Sequence, residues 1–84
     1  MVNVFLEPEA EEQVEELPKR MKARVKELLV RLEEWPEVSG VKALKGNLAG
    51  KYRLRTGAYR LQFRLEGDRV IVEKVGHRSK FYED

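Results

Sequence analysis

The chain has 84 residues, a net charge of +2, one histidine and no cysteine. That length holds one domain, spanning 1–84, with a single modest core. The absence of cysteine excludes a disulfide framework and a thiolate metal site, and one histidine is too little for a structural zinc centre. No apolar run is long enough to span a membrane and the residues before Pro8 do not form a signal peptide, so a cytoplasmic location is expected. The small net charge hides a division. Residues 1–41 carry six Lys/Arg against ten Asp/Glu, and residues 42–84 carry eleven against five. A basic half beside an acidic half points to a surface for nucleic acid or for an acidic partner protein.

In chain order, Val2 to Leu6 is a short apolar run, read as an edge or first strand. Pro8 opens a helix where its missing N–H costs nothing, and Glu9, Glu11 and Glu12 favour that helix's dipole. Ala10, Val14 and Leu17 give it a thin apolar stripe, and Pro18 ends it. A second helix is expected from about Lys19 to Trp35. There Met21, Val25, Leu28, Leu29, Leu32 and Trp35 recur at spacings of three and four and form one apolar face. Pro36 to Gly50 reads as a loop, with Leu44 and Leu48 at the core edge. Its glycines are turn residues, and no Walker-type phosphate loop is present. No cofactor and no metal are expected.

Lys51 to Tyr82 is the organising stretch, read as an antiparallel meander. Tyr52, Leu54 and Thr56 alternate with Lys51, Arg53 and Arg55. Tyr59, Leu61, Phe63 and Leu65 alternate with Arg60, Gln62 and Arg64. Side chains flip at each strand residue, so each strand has an apolar and a cationic face, and the cationic faces combine if the apolar ones share a core. Gly57 and Gly67 lie in the two turns. Val70, Ile71, Val72 and Val75 read as a central third strand, broken by Gly76. His77 alternates onto the Ile71 and Val75 face, opposite Arg78, and the tail leaves the sheet. A solvated sheet face is the plain explanation for such cations; a phosphate-binding surface is the sharper one. The fold class is α+β, an N-terminal strand and a two-helix hairpin packed on an antiparallel meander.

Leu44-Lys45-Gly46, Tyr52 to Gly57, Tyr59-Arg60-Leu61, Val75 to Arg78, and Tyr82 resemble, in order and spacing, the RelE/ParE superfamily of type II toxins. The resemblance runs over nearly the whole chain. It implies a RelE-like fold and one of two activities: RelE-like cleavage of mRNA in the ribosomal A site, or ParE-like inhibition of DNA gyrase without nuclease activity. It also implies a cognate, RelB-like antitoxin, with a toxin–antitoxin heterotetramer as one assembly. Carried across by position, the RelE-like basic and tyrosine set falls on Arg53, Arg55, Arg60, Arg78 and Tyr82; of these Arg55, Arg60, Arg78 and Tyr82 are the catalytic candidates, with His77 beside them. Lys45, Lys51, Arg53, Arg64 and Lys80 are the further RNA-binding candidates. Compatible types at these positions favour the RNase branch, although RelE has lysines where Arg53 and Arg55 stand and where His77 stands.

That reading implies metal-independent chemistry. A 2′-hydroxyl attacks the adjacent phosphorus, which requires proton transfer and stabilisation of the phosphorane charge. Arginine can hold phosphate but cannot act as a base. His77, ordinarily titrating near ~6.5, and Tyr82, near ~10, are the proton-transfer candidates. A basic sheet protein that binds RNA or an antitoxin without activity is the third possibility.

Overall fold

A computed structural model describes residues 1–81. Strand β1 (Asn3–Leu6) is followed by helices α1 (Pro8–Glu15) and α2 (Lys19–Leu32). Then come β2 (Lys42–Ala43), a single 3-10 turn at Gly46–Leu48, and the meander β3 (Lys51–Thr56), β4 (Tyr59–Glu66) and β5 (Arg69–His77). A short helix α3 (Arg78–Phe81) closes the described chain. The strands form one sheet in the order β1-β5-β4-β3-β2. No helix among the described residues is long and apolar enough to cross a membrane.

Each element follows from local chemistry. Pro8 stands in the first turn of α1 with Glu9 and Glu11 beside it. The α2 stripe delivers Val25, Leu28 and Leu32 to the core. They meet Ala10 and Val14 from α1 and Leu54, Leu61, Phe63, Val70, Val72 and Val75 from the sheet. Burial of this apolar surface is the main stabilising term. Both hairpins use two-residue loops, Gly57-Ala58 and Gly67-Asp68. Each glycine takes a positive φ, 57° and 63°, which a side chain would strain. At the junction of α2 with the sheet, Trp35 packs edge-on against Tyr52 and Phe63, with centroids 5.2 and 5.4 Å away.

The structure departs from the sequence reading, or completes it, in four places. First, α2 stops at Leu32, and Glu33 to Trp35 continue as turns. Second, the expected loop 36–50 contains β2, which pairs Lys42 with Arg53 and Ala43 with Tyr52. Third, β1, whose direction the sequence leaves open, runs parallel to β5, Asn3 opposite Arg69 and Leu6 opposite Val72, while the meander is antiparallel as expected. β1 stops there, and α1 covers the remaining edge of β5, where the Val75 N–H donates to Gln13 Oε1 at 2.8 Å. Fourth, Gly76 does not break β5, which continues to His77.

A bulge explains the apolar run in β5. Gln62 pairs with Lys74 and Phe63 with Val72, which leaves Glu73 as an extra residue. Strict alternation would send Glu73 to the core side with Val75. The bulge resets the alternation, so Val70, Val72 and Val75 all reach the core while Glu73 joins the polar face. The same shift separates Ile71 from Val75, which the sequence reading had placed on one face.

Candidate nucleic-acid interface

The two helices cover one face of the sheet, and the cations lie on the other. Register brings them together: Lys51 opposite Arg64, Arg53 opposite Gln62, Arg55 opposite Arg60. The pairing of the two basic sets, expected from alternation alone, is therefore present.

The face divides into two ends. At the first, Arg64 Nη1 donates to Glu7 Oε2 and to Glu73 Oε2, both at 2.8 Å, and Nη2 donates to Glu66 at 3.2 Å. Lys51 Nζ lies 3.0 Å from Glu73 Oε1, which also accepts from Gln62 Nε2 at 3.1 Å. The hydrogen bonds that Arg64 donates, to Glu7 first and then to Glu73, hold its pKa above the usual value. Burial pushes the Glu73 carboxyl up, but hydrogen bonds from Gln62, Lys51 and Arg64 outweigh it and hold the pKa below the ordinary 4.5. Lys51 and Arg64, both expected to meet RNA, are thus neutralised within the chain. No sequence signal marked Glu7 and Glu73 as their partners, because a bulge changes the parity of a strand without changing its composition.

The other end keeps its charge. Arg55 is exposed and has no ion-pair partner among the described residues. Arg60 is half-buried, and its Nε and Nη1 are shielded from solvent without a hydrogen bond among those residues. A shielded guanidinium without an acceptor is costly, and a second arginine directly opposite adds repulsion. An anion seated between them would relieve both. Arg78 joins this end: its backbone N–H donates to Ala58 O at 2.7 Å, which places it beside the β3–β4 turn.

Phe81 folds back over the open face, 2% exposed, with the Lys74 ammonium 4.9 Å from its ring centroid. Beneath it is Gly76, the register partner of Arg60, where a Cβ would lie 4.0 Å from Phe81 Cδ1. Lys80 is exposed on the same short helix. Lys45 and Arg53 line a cleft with Lys42, of about 320 Å³ at the β2 edge.

His77 is placed apart from the Arg55–Arg60 pair. It pairs with Tyr59, edge-on at 5.3 Å, and falls on the helix-side face with Val75 and Leu61. Its Nδ1 accepts the Ser79 backbone N–H at 3.0 Å and lies 2.8 Å from Ser79 Oγ. That bond caps α3 and leaves the proton of the neutral ring on Nε2. Tyr82 lies outside the described residues. Among the described residues no cluster of His, Cys, Asp and Glu is arranged to hold a metal ion.

The model of the ParE toxin family of type II toxin–antitoxin systems, parDE, matches residues 4–82. The chain belongs to the RelE/ParE superfamily of type II toxins. A chain of the RelBE2 toxin–antitoxin complex from Mycobacterium tuberculosis is similar at 29% identity and a TM-score of 0.80, covering 92% of this chain and 98% of that one. The RelB–RelE complex from Methanococcus jannaschii gives 22% and 0.78 over 94% and 95%. The isolated Escherichia coli RelE toxin gives 21% and 0.78 over 92% and 84%. The last two likenesses concern the fold. Among curated proteins no relative matches at the sequence level. The toxin's fold, with β1, the helix pair and the meander, is the RelE-like α+β fold.

Proposed function

We propose that this toxin is a ribosome-dependent endoribonuclease that cuts mRNA in the A site without a metal and so arrests translation. The observation that carries the reading is Arg60. Two of its guanidinium nitrogens are shielded and have no hydrogen-bond partner among the described residues, and its register partner is Arg55, so the pair offers a site for a phosphate group. Arg60 and Arg55 would hold the scissile phosphate and stabilise the phosphorane, with Arg78 adding charge from the adjoining turn. Arg53, Lys45 and Lys80 would steer the RNA backbone. His77 caps α3 on the helix-side face. The reading therefore assigns proton transfer to Tyr82. An antitoxin like those in the matched complexes is the proposed partner, neutralising the cationic end with an acidic segment.

One experiment tests the reading directly. The toxin is expressed in cells and mRNA 5′ ends are mapped. Codon-phased cuts on translated messages are expected, and Arg60→Ala should abolish them. Growth arrest with intact mRNA would overturn the proposal.

A second reading, inhibition of DNA gyrase, is favoured by one observation: the matching family model is that of the ParE toxin. It predicts gyrase cleavage complexes and DNA-damage signalling in the same cells.

A further inference from the structure

The clamped end of the open face contains a polar cleft of about 390 Å³, bordered by α1, β4, β5 and α3 and lined by Glu7, Gln13, Gln62, Glu73, Lys74 and Lys80 among others. Its volume is in the range of small-ligand sites. Gln62 forms part of its floor. That side chain is 8% exposed, the one buried polar residue among the described residues. It stands two positions from Arg60 on β4, on the same face.

The orientation of this amide is fixed by chemistry. A carboxylate only accepts, so the group facing Glu73 Oε1 at 3.1 Å must be the amide nitrogen. Glu73 is itself held, by Lys51 at 3.0 Å and by Arg64 at 2.8 Å. Arg64 is anchored in turn by Glu7 at 2.8 Å. Gln62 Oε1 therefore points away from Glu73, and it has no hydrogen-bond partner among the described residues. The ion-pair chain thus presents a rigid carbonyl acceptor on the wall of a cleft, one side-chain step from the phosphate site. The lining carries three carboxylates (Glu7, Glu9 and Glu73) and three ammonium groups (Lys51, Lys74 and Lys80), so the choice between an N–H donor and a carbonyl oxygen falls to Gln62 Oε1 itself.

We propose that Gln62 reads the edge of the nucleobase next to the phosphate held by Arg60. Its Oε1 accepts a hydrogen bond from an exocyclic amine, so cytosine and adenine are preferred to uracil. Glu73 acts as a positioning residue that fixes the amide's direction. The inference rests on the RNA-binding reading of the Arg60 site and adds the base that the site selects.

Cytidine and uridine 3′-monophosphates, which differ at the amine and keto positions, serve as probes. Each is titrated into ¹⁵N-labelled toxin, and affinity and the Gln62 side-chain amide signals are followed by NMR. Cytidine monophosphate is expected to bind about tenfold tighter, the scale of one good hydrogen bond set against a mispaired acceptor. Gln62→Leu should reduce the ratio to about one while leaving the affinity for inorganic phosphate unchanged. Glu73→Gln keeps the reader but frees its amide to rotate, and the ratio should fall below about threefold; melting curves of both variants confirm that they are folded. Equal binding of the two nucleotides by the wild type, or a preference that survives Gln62→Leu, overturns the proposal. Loss of inorganic phosphate binding in Arg60→Ala, with the base preference intact in the wild type, separates the two sites. Failure of the wild type to bind phosphate at all overturns the Arg60 reading together with this one.

Discussion

Arg55 and Arg60 are a directly opposed pair across β3 and β4, and the guanidinium of Arg60 has two shielded nitrogens without an acceptor among the described residues. Two like charges in register oppose folding, as does a polar group removed from water. Arg60→Leu should therefore stabilise the toxin, by about 1 kcal/mol, while lowering the proposed RNA cleavage by about a hundredfold. Thermal melting and a cleavage assay on the same preparation check both halves. A variant that loses both stability and activity would show that Arg60 supports the fold instead.

The shared cationic face was legible in the sequence. Alternation assigned Arg53, Arg55, Arg60 and Arg64 to one face, and the structure adds the register that sets Arg55 opposite Arg60. The helices were legible too, because the α2 stripe repeats over four turns and prolines mark the helix starts. What could not be read was non-local or brief. The partner of β1 lies at the far end of the chain, and β2 has two residues. Glu73 was the costliest omission. A single bulged residue moved a carboxylate from the expected core side to the polar face, and there it neutralises two of the cations that alternation had offered to RNA.

Glu73→Gln removes one charge from a cluster whose other members keep theirs. Lys51 and Arg64 are each about a third exposed, at 34% and 31%, so water screens part of the loss. A cost of about 1–2 kcal/mol is expected, read by urea denaturation near neutral pH. The pH dependence has a definite sign. The folded-state pKa of Glu73 is depressed, so its contribution is present above the ordinary 4.5 and is lost as pH falls through the lower folded value. The wild type should lose stability over that acid window more steeply than the Gln variant. Parallel curves would remove Glu73 from the account.

Gly76 marks where α3 settles on the sheet. A Cβ there makes ordinary contact with Phe81, at 4.0 Å, whereas the extra methyls of valine would collide with the ring. Gly76→Ala should therefore match the wild type in melting temperature or exceed it slightly. Gly76→Val should lift Phe81 and speed tryptic cleavage at Arg78 and Lys80, both exposed on α3. Equal cleavage of the Ala and Val variants would show that α3 does not depend on this contact.

Trp35 is the single tryptophan and packs on Tyr52 and Phe63, which stack at 5.5 Å. Its fluorescence should change in one step, coincident with far-UV circular dichroism, because α2 and the sheet meet there. Tyr52→Leu should keep the single step and cost about 1 kcal/mol from the lost ring contacts. Separate transitions by the two probes would show that helix layer and sheet unfold independently.

The pairing of β1 with β5 sets an order on the birth of this protein. Asn3 meets Arg69, so the first strand made must wait for the last strand of the sheet before it finds a neighbour. Arg64 is tied to Glu7 and Glu73 at the same junction. Contacts so distant along the chain are slow to form. During synthesis the helix pair can assemble early, but Glu73, the carboxylate shared by Lys51 and Arg64, arrives only when β5 has been translated. A growing chain therefore carries those two cations without their shared partner until its last strand is made.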